Sequence, residues 1–347
     1  MENLNKEETG RMAPIAMFVY NRPEHTRKVV DALLNCPEAK ETDIFIFSDA
    51  PRGLKDFESV REVRNYLKKI TGFKSITIVA RKANLGCTPN MIEGITRIMD
   101  TYGRGIIIED DILVAPQFLK FMNLCLNKYQ NDPNIWNISG ISPEFNLKTD
   151  KDVVIWGHQN CWGWATWKDR WDNFEGNREK TLSEISLEQK KAFDFGGVIP
   201  CSPQLDYYAW DVAWNWTIFK NAKLSINPVK SLVKNIGLDG TGTNFAKGMP
   251  ISDPWKDYIF PQQDCWNLPD FPQCDEELVK QIIEIKKAKS SHLVDYNEPS
   301  KKLLTFKLKG NLFKLHILVH KLPTIFNFKL KIFGLFTIDL ALGKAKI

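Results

Sequence analysis

Short apolar runs alternate with longer stretches of helical periodicity through the first third of the chain. Ile15–Tyr20, Asp43–Phe47, Ser75–Val79, Gly105–Ile108 and Ile135–Ser139 read as strands bounded by turn-forming or charged residues. Between them, Glu24–Leu34, Phe57–Ile70, Asn90–Met99 and Pro116–Tyr129 carry the apolar spacing of helices. Pro23 is placed to open the first helix, and Thr88-Pro89 reads as an N-cap followed by proline at the first helical position. Strands separated by helices require crossover connections, so the pattern predicts an α/β fold with a mostly parallel sheet covered on both faces. Ligands of such sheets bind beyond the carboxyl ends of the strands, where strand order reverses. Three of those ends carry chemistry: Asn21-Arg22, Asp49, and the triplet Glu109-Asp110-Asp111.

The pattern changes near residue 156. Trp156, Trp162, Trp164, Trp167 and Trp171 crowd together, and Trp210, Trp214 and Trp216 form a second group. Glycine and proline accumulate in Gly237–Gly248 and Pro250–Pro272, as in functional loops. These shifts suggest a flexible N-terminus over 1–13, a nucleotide-binding half over 14–145, an acceptor and catalytic half over 146–272, and a helical, basic, amphipathic region over 273–347. In that last region Leu304, Leu308, Leu312, Leu315, Val319 and Leu322 align on one helical face, with Lys307, Lys314 and Lys321 beside it and Pro323 as a stop. An interfacial helix on an anionic membrane surface is one expectation, and a helix packed on the enzyme or on a dimer partner is the other.

Composition narrows the classes. With 347 residues, 43% hydrophobic and 26% charged, the chain has ordinary globular balance, and no apolar run reaches the ~18–20 residues of a spanning helix. The polar start through Met12 lacks the pattern of a secretory signal, so a cytoplasmic location is expected. Seven cysteines without a Cys-x-x-Cys pair suggest reduced, mostly packed thiols. The net charge of +5 is concentrated in residues 301–347, which hold ten Lys and one acid, Asp339. The body is therefore not basic, and nucleic acid is not an expected partner.

Three adjacent carboxylates at a strand end repel one another unless a cation or hydrogen-bond donors offset the charge. A hard divalent ion, Mn²⁺ or Mg²⁺, held by one carboxylate and completed by diphosphate oxygens and water, is one reading of Glu109-Asp110-Asp111, and a solvated acidic turn is the other. Asp49 could accept a hydrogen bond from a nucleobase or cap a helix, and Arg22 could supply positive charge near the ligand or lie on the surface. Neither a dinucleotide fingerprint nor a P-loop is present.

These residues resemble a known family. Val19-Tyr20-Asn21-Arg22-Pro23, Phe47-Ser48-Asp49-Ala50, Arg81-Lys82-Ala83-Asn84-Leu85-Gly86 and above all Ile108–Phe118 are similar to nucleotide-sugar glycosyltransferases of the GT-A fold. More narrowly, they resemble bacterial relatives of the N-acetylglucosaminyltransferase that initiates hybrid and complex N-glycans. The resemblance covers about two thirds of the chain. It implies that Asp111 ligates the metal, that Glu109 and Asp110 bind the donor's sugar or ribose, and that Asn21, Arg22, Asp49, Lys82 and Asn84 serve the nucleotide. Asn235-Ile236-Gly237 with Thr241 and Thr243 fits a loop closing over phosphate, and Asp211 after Trp210 falls where the family has its catalytic base, with Asp206 as second choice. A carboxylate within ~2.6–3.2 Å of an acceptor hydroxyl would activate it for inverting attack. Trp162 or Trp164 could stack on a sugar ring.

The expected activity is metal-dependent inverting transfer from a nucleotide-diphosphate sugar, by resemblance a UDP-sugar, to a glycan acceptor that could be lipid-linked. Surface polysaccharides such as capsule or O-antigen are the expected setting. A sugar-nucleotide nucleotidyltransferase and a non-catalytic glycan-binding protein at the membrane periphery are the alternatives. Oligomeric state is left open.

Overall fold

The computed structural model of this chain describes residues 11–207, 209–239, 255 and 257–289, together with the backbone of four strands between 302 and 342. It divides into a body, Met1–Ser291, and a tail, His292–Ile347.

The body begins with β1 (Ile15–Val19), α1 (Pro23–Leu34), β2 (Asp43–Ser48), α2 (Leu54–Leu67), β3 (Ser75–Ala80), α3 (Cys87–Tyr102) and β4 (Arg104–Glu109). All of β1 and β2 is buried, as near-continuous apolar runs require when both sheet faces are covered. Alternate side chains supply the two faces. Ile15, Met17, Val19, Ile44 and Ile46 pack with Val29 and Leu33 of α1 and Val63 of α2. Ala16, Phe18, Phe45 and Phe47 pack on the other side with Met91, Ile95 and Ile98 of α3.

After β4 the chain turns through Asp110-Asp111 into β5 (Ile112–Val114), then α4 (Phe118–Lys128), β6 (Ile135–Ser139), β7 (Val153–Trp156) and β8 (Trp164–Trp167). Three short helices follow, α5 (Lys168–Trp171), α6 (Arg178–Glu184) and α7 (Leu187–Phe193). Then come α8 (Trp210–Lys220), β9 (Leu224–Pro228), β10 (Val233–Asn235) and α9 (Glu276–Lys289).

Eight strands form one sheet in the order β3-β2-β1-β4-β8-β6-β9-β7. Pairings β3–β2, β2–β1, β1–β4 and β6–β9 are parallel, while β8 is antiparallel to both neighbours and β7 is antiparallel to β9. The α/β layout with a mostly parallel sheet is the one the apolar pattern predicts. Strands from either side of residue 145 share this sheet. Strand order reverses beside β1, which has β2 on one side and β4 on the other. A crevice therefore opens past their carboxyl ends.

Two local differences have physical causes. α3 starts at Cys87, three residues before the expected start, because Gly86 takes φ +79° and turns the chain into the helix ahead of Thr88-Pro89. In the tail, β11 (Lys302–Leu308) pairs antiparallel with β12 (Asn311–Ile317), and β13 (Phe326–Ile332) pairs with β14 (Phe336–Leu342). The expected amphipathic helix is replaced by strands where residues are described. The same leucines also fit a period of two: Leu304, Phe306 and Leu308 alternate with Thr305 and Lys307, and Gly310 would sit inside the helix.

Among the described residues, no helix is long and apolar enough to cross a membrane. All seven cysteines are unpaired. Only Cys36 and Cys125 are fully buried, while Cys87, Cys265 and Cys274 are exposed, so the thiols are less packed than expected.

Candidate active site

A cleft of about 460 Å³ opens at the carboxyl ends of β1, β2 and β4 and is also lined by Trp162, Trp210 and Asp211. That volume lies in the range of small-molecule sites, roughly 300–1,000 Å³. Asn21, Arg22, Asp49, Asn84, Glu109, Asp110 and Asp111 all line it, so the three strand ends do converge.

Arg22 caps α1 and reaches the acidic turn, donating to Asp110 Oδ1 and lying 3.0 Å from Asp111 Oδ2. Burial opposes the guanidinium's charge, but Asp110 and Asp111 outweigh it and raise the Arg22 pKa. Asp110 is 3% exposed, and its other oxygen accepts from the Tyr20 backbone N–H at 3.2 Å. Tyr20 is itself fixed by its hydroxyl, which donates to Asp56 at 3.0 Å and accepts from the Arg52 N–H at 2.9 Å. Asn21 donates to the same Asp56 at 3.1 Å. A short antiparallel ladder between β5 and β10 holds the turn from behind, and the Ile236 N–H donates to the Asp111 carbonyl at 2.8 Å. Gly237 then passes so close that a Cβ there would stand 2.3 Å from Asp111 Oδ2 and 3.1 Å from Arg22 Nη1.

Glu109 has no ion-pair partner among the described residues. Burial first, then the charges of Asp111, Asp211 and Asp110, push its pKa well above the ordinary carboxylate value, and Arg22 only partly offsets them. Asp211 sits in the first turn of α8 and its pKa is also raised by burial, against hydrogen bonds from backbone N–H groups and from Cys161. Cys161 Sγ is 3.6 Å from Asp211 Oδ2.

Asp49 is held by the loops on either side of it. Oδ1 accepts from the N–H groups of Ala50 at 2.8 Å and Leu85 at 3.0 Å, and Oδ2 from Asn84 Nδ2 at 3.1 Å and the Gly86 N–H at 2.9 Å. Three of these four donors come from the loop that starts α3, and together they engage both carboxylate oxygens. Asn84 is thereby held at the cleft wall, whereas Lys82 is exposed and lies outside the lining.

Trp162 is half-buried at the cleft, but Trp164 is fully buried. It stacks on Trp210 at 5.7 Å and touches Trp171 and Trp214, so its place is the core and not a sugar platform. Asp206 is exposed and does not line the cleft, while Asp211 does. Thr241 and Thr243 lie outside the described residues. Tyr20, Cys161 and Gly237 are contributors that the sequence pattern did not mark. Tyr20 and Gly237 belong to segments that drew notice for their neighbours, and nothing in spacing marks Cys161.

The acidic turn fits one kind of metal site. Among the described residues, no three His, Cys, Asp or Glu groups surround a common point, and both Asp110 oxygens already have donors. Asp111 lines the cleft with 18% of its side chain exposed, and with Oδ2 shared with Arg22 its Oδ1 is the hard oxygen a metal would take. That donor set suits Mg²⁺ or Mn²⁺ held by one carboxylate and completed by a ligand's phosphate oxygens and water, not a closed metal centre.

No known protein family matches the sequence, and no curated protein does. Among solved structures the chain is similar to S. aureus TarS, at 10% identity and a TM-score of 0.36 over 63% of this chain and 36% of that one. The chain thus spans about a third of that protein's length. It is also similar to a proposed nucleotide-diphospho-sugar transferase from Desulfovibrio desulfuricans G20, at 16% identity and 0.30 over 50% of this chain and 77% of that one. A third similar structure is mouse xyloside xylosyltransferase 1, apo form, at 11% identity and 0.32 over 60% and 81% of the two chains.

Proposed function

We propose that the chain is a glycosyltransferase that moves a sugar from a nucleotide-diphosphate donor, a UDP-sugar by the resemblance of its motifs, to a glycan hydroxyl. The observation that carries this reading is the division of labour in one cleft: a guanidinium on two carboxylates at the β4 turn, and a separate carboxylate, Asp211, from α8 in the same lining.

In this reading Arg22 donates hydrogen bonds to the diphosphate, an arrangement guanidinium geometry favours. Glu109 and Asp110 orient the sugar through its hydroxyls. Asp211 removes the proton from the acceptor hydroxyl as its oxygen attacks the anomeric carbon, and the bond from that carbon to the phosphate oxygen breaks. The electron pair leaves with the nucleotide diphosphate. Attack opposite the leaving group inverts the anomeric centre and needs no covalent enzyme intermediate. Mn²⁺ or Mg²⁺ on Asp111, when bound, would act as a Lewis acid that stabilises the departing diphosphate. Trp162 offers an aromatic face to the acceptor.

The test is UDP release and sugar transfer with and without Mn²⁺, in wild type and Asp111→Ala. The variant should lose roughly 10³-fold in kcat, about 4 kcal/mol of barrier. Activity unchanged by the substitution or by chelation removes the metal role. A nucleotidyltransferase would instead form a nucleotide sugar from a nucleoside triphosphate and sugar phosphate in the same assay. A binding protein would take up glycan and ignore the nucleotide.

The +9 charge of residues 301–347 supports an anionic membrane surface, and with it a lipid-linked acceptor in surface polysaccharide synthesis, as the setting. The full chain should sediment with vesicles containing phosphatidylglycerol, not with phosphatidylcholine alone, and salt should release it. Equal sedimentation with both removes this part of the proposal.

A further inference from the structure

The side wall of the cleft contains a contact that the reaction above does not use. The segment from Gln159 to Gly163 runs between β7 and β8 and is tied down at several points. Gly140 N–H donates to the Gly163 carbonyl, and Ser139 Oγ donates to the Asn160 carbonyl at 3.0 Å. Gln159 reaches α8, where its N–H donates to Asn215 Oδ1 and its Nε2 to the Asp211 carbonyl, both at 2.9 Å. Two residues on, the Cys161 thiol meets the Asp211 carboxylate at 3.6 Å. One rigid segment therefore holds the backbone of Asp211 with an amide and its side chain with a thiol. Among the described residues, Cys161 is the only side chain that donates to this carboxylate.

We infer that Cys161 is a positioning residue for Asp211, its S–H hydrogen bond aiming the carboxylate at the acceptor hydroxyl. The inference rests on the reading of Asp211 as the base. Burial, together with the charges of Asp211 and Glu109, raises the Cys161 pKa well above that of a free thiol, so the sulfur keeps its proton and serves as a donor, not a nucleophile. The other titratable groups that feel the charge of Asp211 are Glu109 at the end of β4, Cys87 at the start of α3, and Cys201. None of them is a cation, so the thiol and the backbone N–H groups oppose burial alone.

The test uses the full chain as wild type, Cys161→Ser, Cys161→Ala and Asp211→Asn. The S–H stretch of Cys161 is isolated in the infrared as the wild-type minus Cys161→Ser difference. It should lie at lower frequency than a free thiol, move when Asp211 is replaced by Asn, and track the protonation of Asp211 as pH is varied. A band at the free-thiol position that ignores both changes overturns the inference, whatever the substrate proves to be.

UDP release from UDP-glucose and UDP-N-acetylglucosamine supplies the second readout. Cys161→Ala should lower kcat roughly 5- to 10-fold with little change in KM and move the acid limb of kcat/KM to higher pH. Cys161→Ser, whose hydroxyl is a better donor, should keep kcat within about threefold and hold the limb at or below its wild-type position. An alanine variant with an unmoved limb, beside an inactive Asp211→Asn, overturns the thiol's role and leaves the base in place. An active Asp211→Asn overturns the base reading itself. Should the alanine variant fail to fold, the infrared band and the serine variant decide.

Discussion

Two pairs of acidic residues that line the cleft are held by different partners. At the β4 turn, Asp110 and Asp111 share the guanidinium of Arg22, with Asp110 further bound by a backbone N–H. Glu109 and Asp211, which line the same cleft, have no ion-pair partner among the described residues, and burial lifts both pKa values, as it also lifts that of Asp110 against Arg22. A carboxylate hydrogen-bonded to arginine is fixed in place, which suits holding a polar ligand, although burial raises the Asp110 pKa against the pull of Arg22. A carboxylate held by burial and weak donors is closer to taking a proton, which suits acid–base work. Glu109, the last residue of β4, and Asp110, the first of the turn, thus differ in their partners and not in the direction of their pKa shifts.

Removing the shared cation should break the contrast most strongly. In Arg22→Ala, two largely buried carboxylates lose their partner, a change that costs about 3 kcal/mol or more. Denaturant unfolding would register it as a lower midpoint. The Asp110 pKa, which burial already raises in wild type, would rise further without Arg22, so the folded variant binds more protons than the unfolded chain and its deficit should shrink as pH falls. A variant as stable as wild type at pH 7 would mean that the pair contributes nothing.

A smaller effect of opposite sign is expected on the unpaired side. The folded-state pKa of Glu109 lies above its unfolded value of about 4.3, so wild type loses stability as pH rises from there through the raised value. Glu109→Gln removes that charge. Its melting temperature at pH 7 should rise by a few degrees, on the order of 1 kcal/mol, while its donor affinity falls. The gain should vanish near pH 4. A lower melting temperature at pH 7 would show that the charge is stabilised by a contact not considered above.

Much of the first half of this arrangement was legible. β1, β2 and β4 are apolar runs that end abruptly in polar residues, and each matched its expected span to within one residue. The acidic turn was visible because three carboxylates following Ile106-Ile107-Ile108 are hard to place anywhere but a strand end. Asp49 was placed at the cleft, but its engagement with Leu85 and Gly86 depends on backbone geometry thirty-six residues away. Trp164 misled because an aromatic side chain looks the same in a sequence whether it stacks on a sugar or on Trp210. Cys161 meets Asp211 across fifty positions, and no periodicity encodes such a contact. In the tail, leucine spacing satisfied two periods at once, and the pattern alone could not choose between them.

The bare backbone of Gly237 gives the acidic turn a second boundary. With Asp111 and Arg22 directly above its α-carbon, residue 237 has clearance for a hydrogen and not for a methyl group. Evolutionary drift at this one position is thereby coupled to the aspartate it faces: a larger residue would be tolerated only in a lineage that had already moved or abandoned that aspartate.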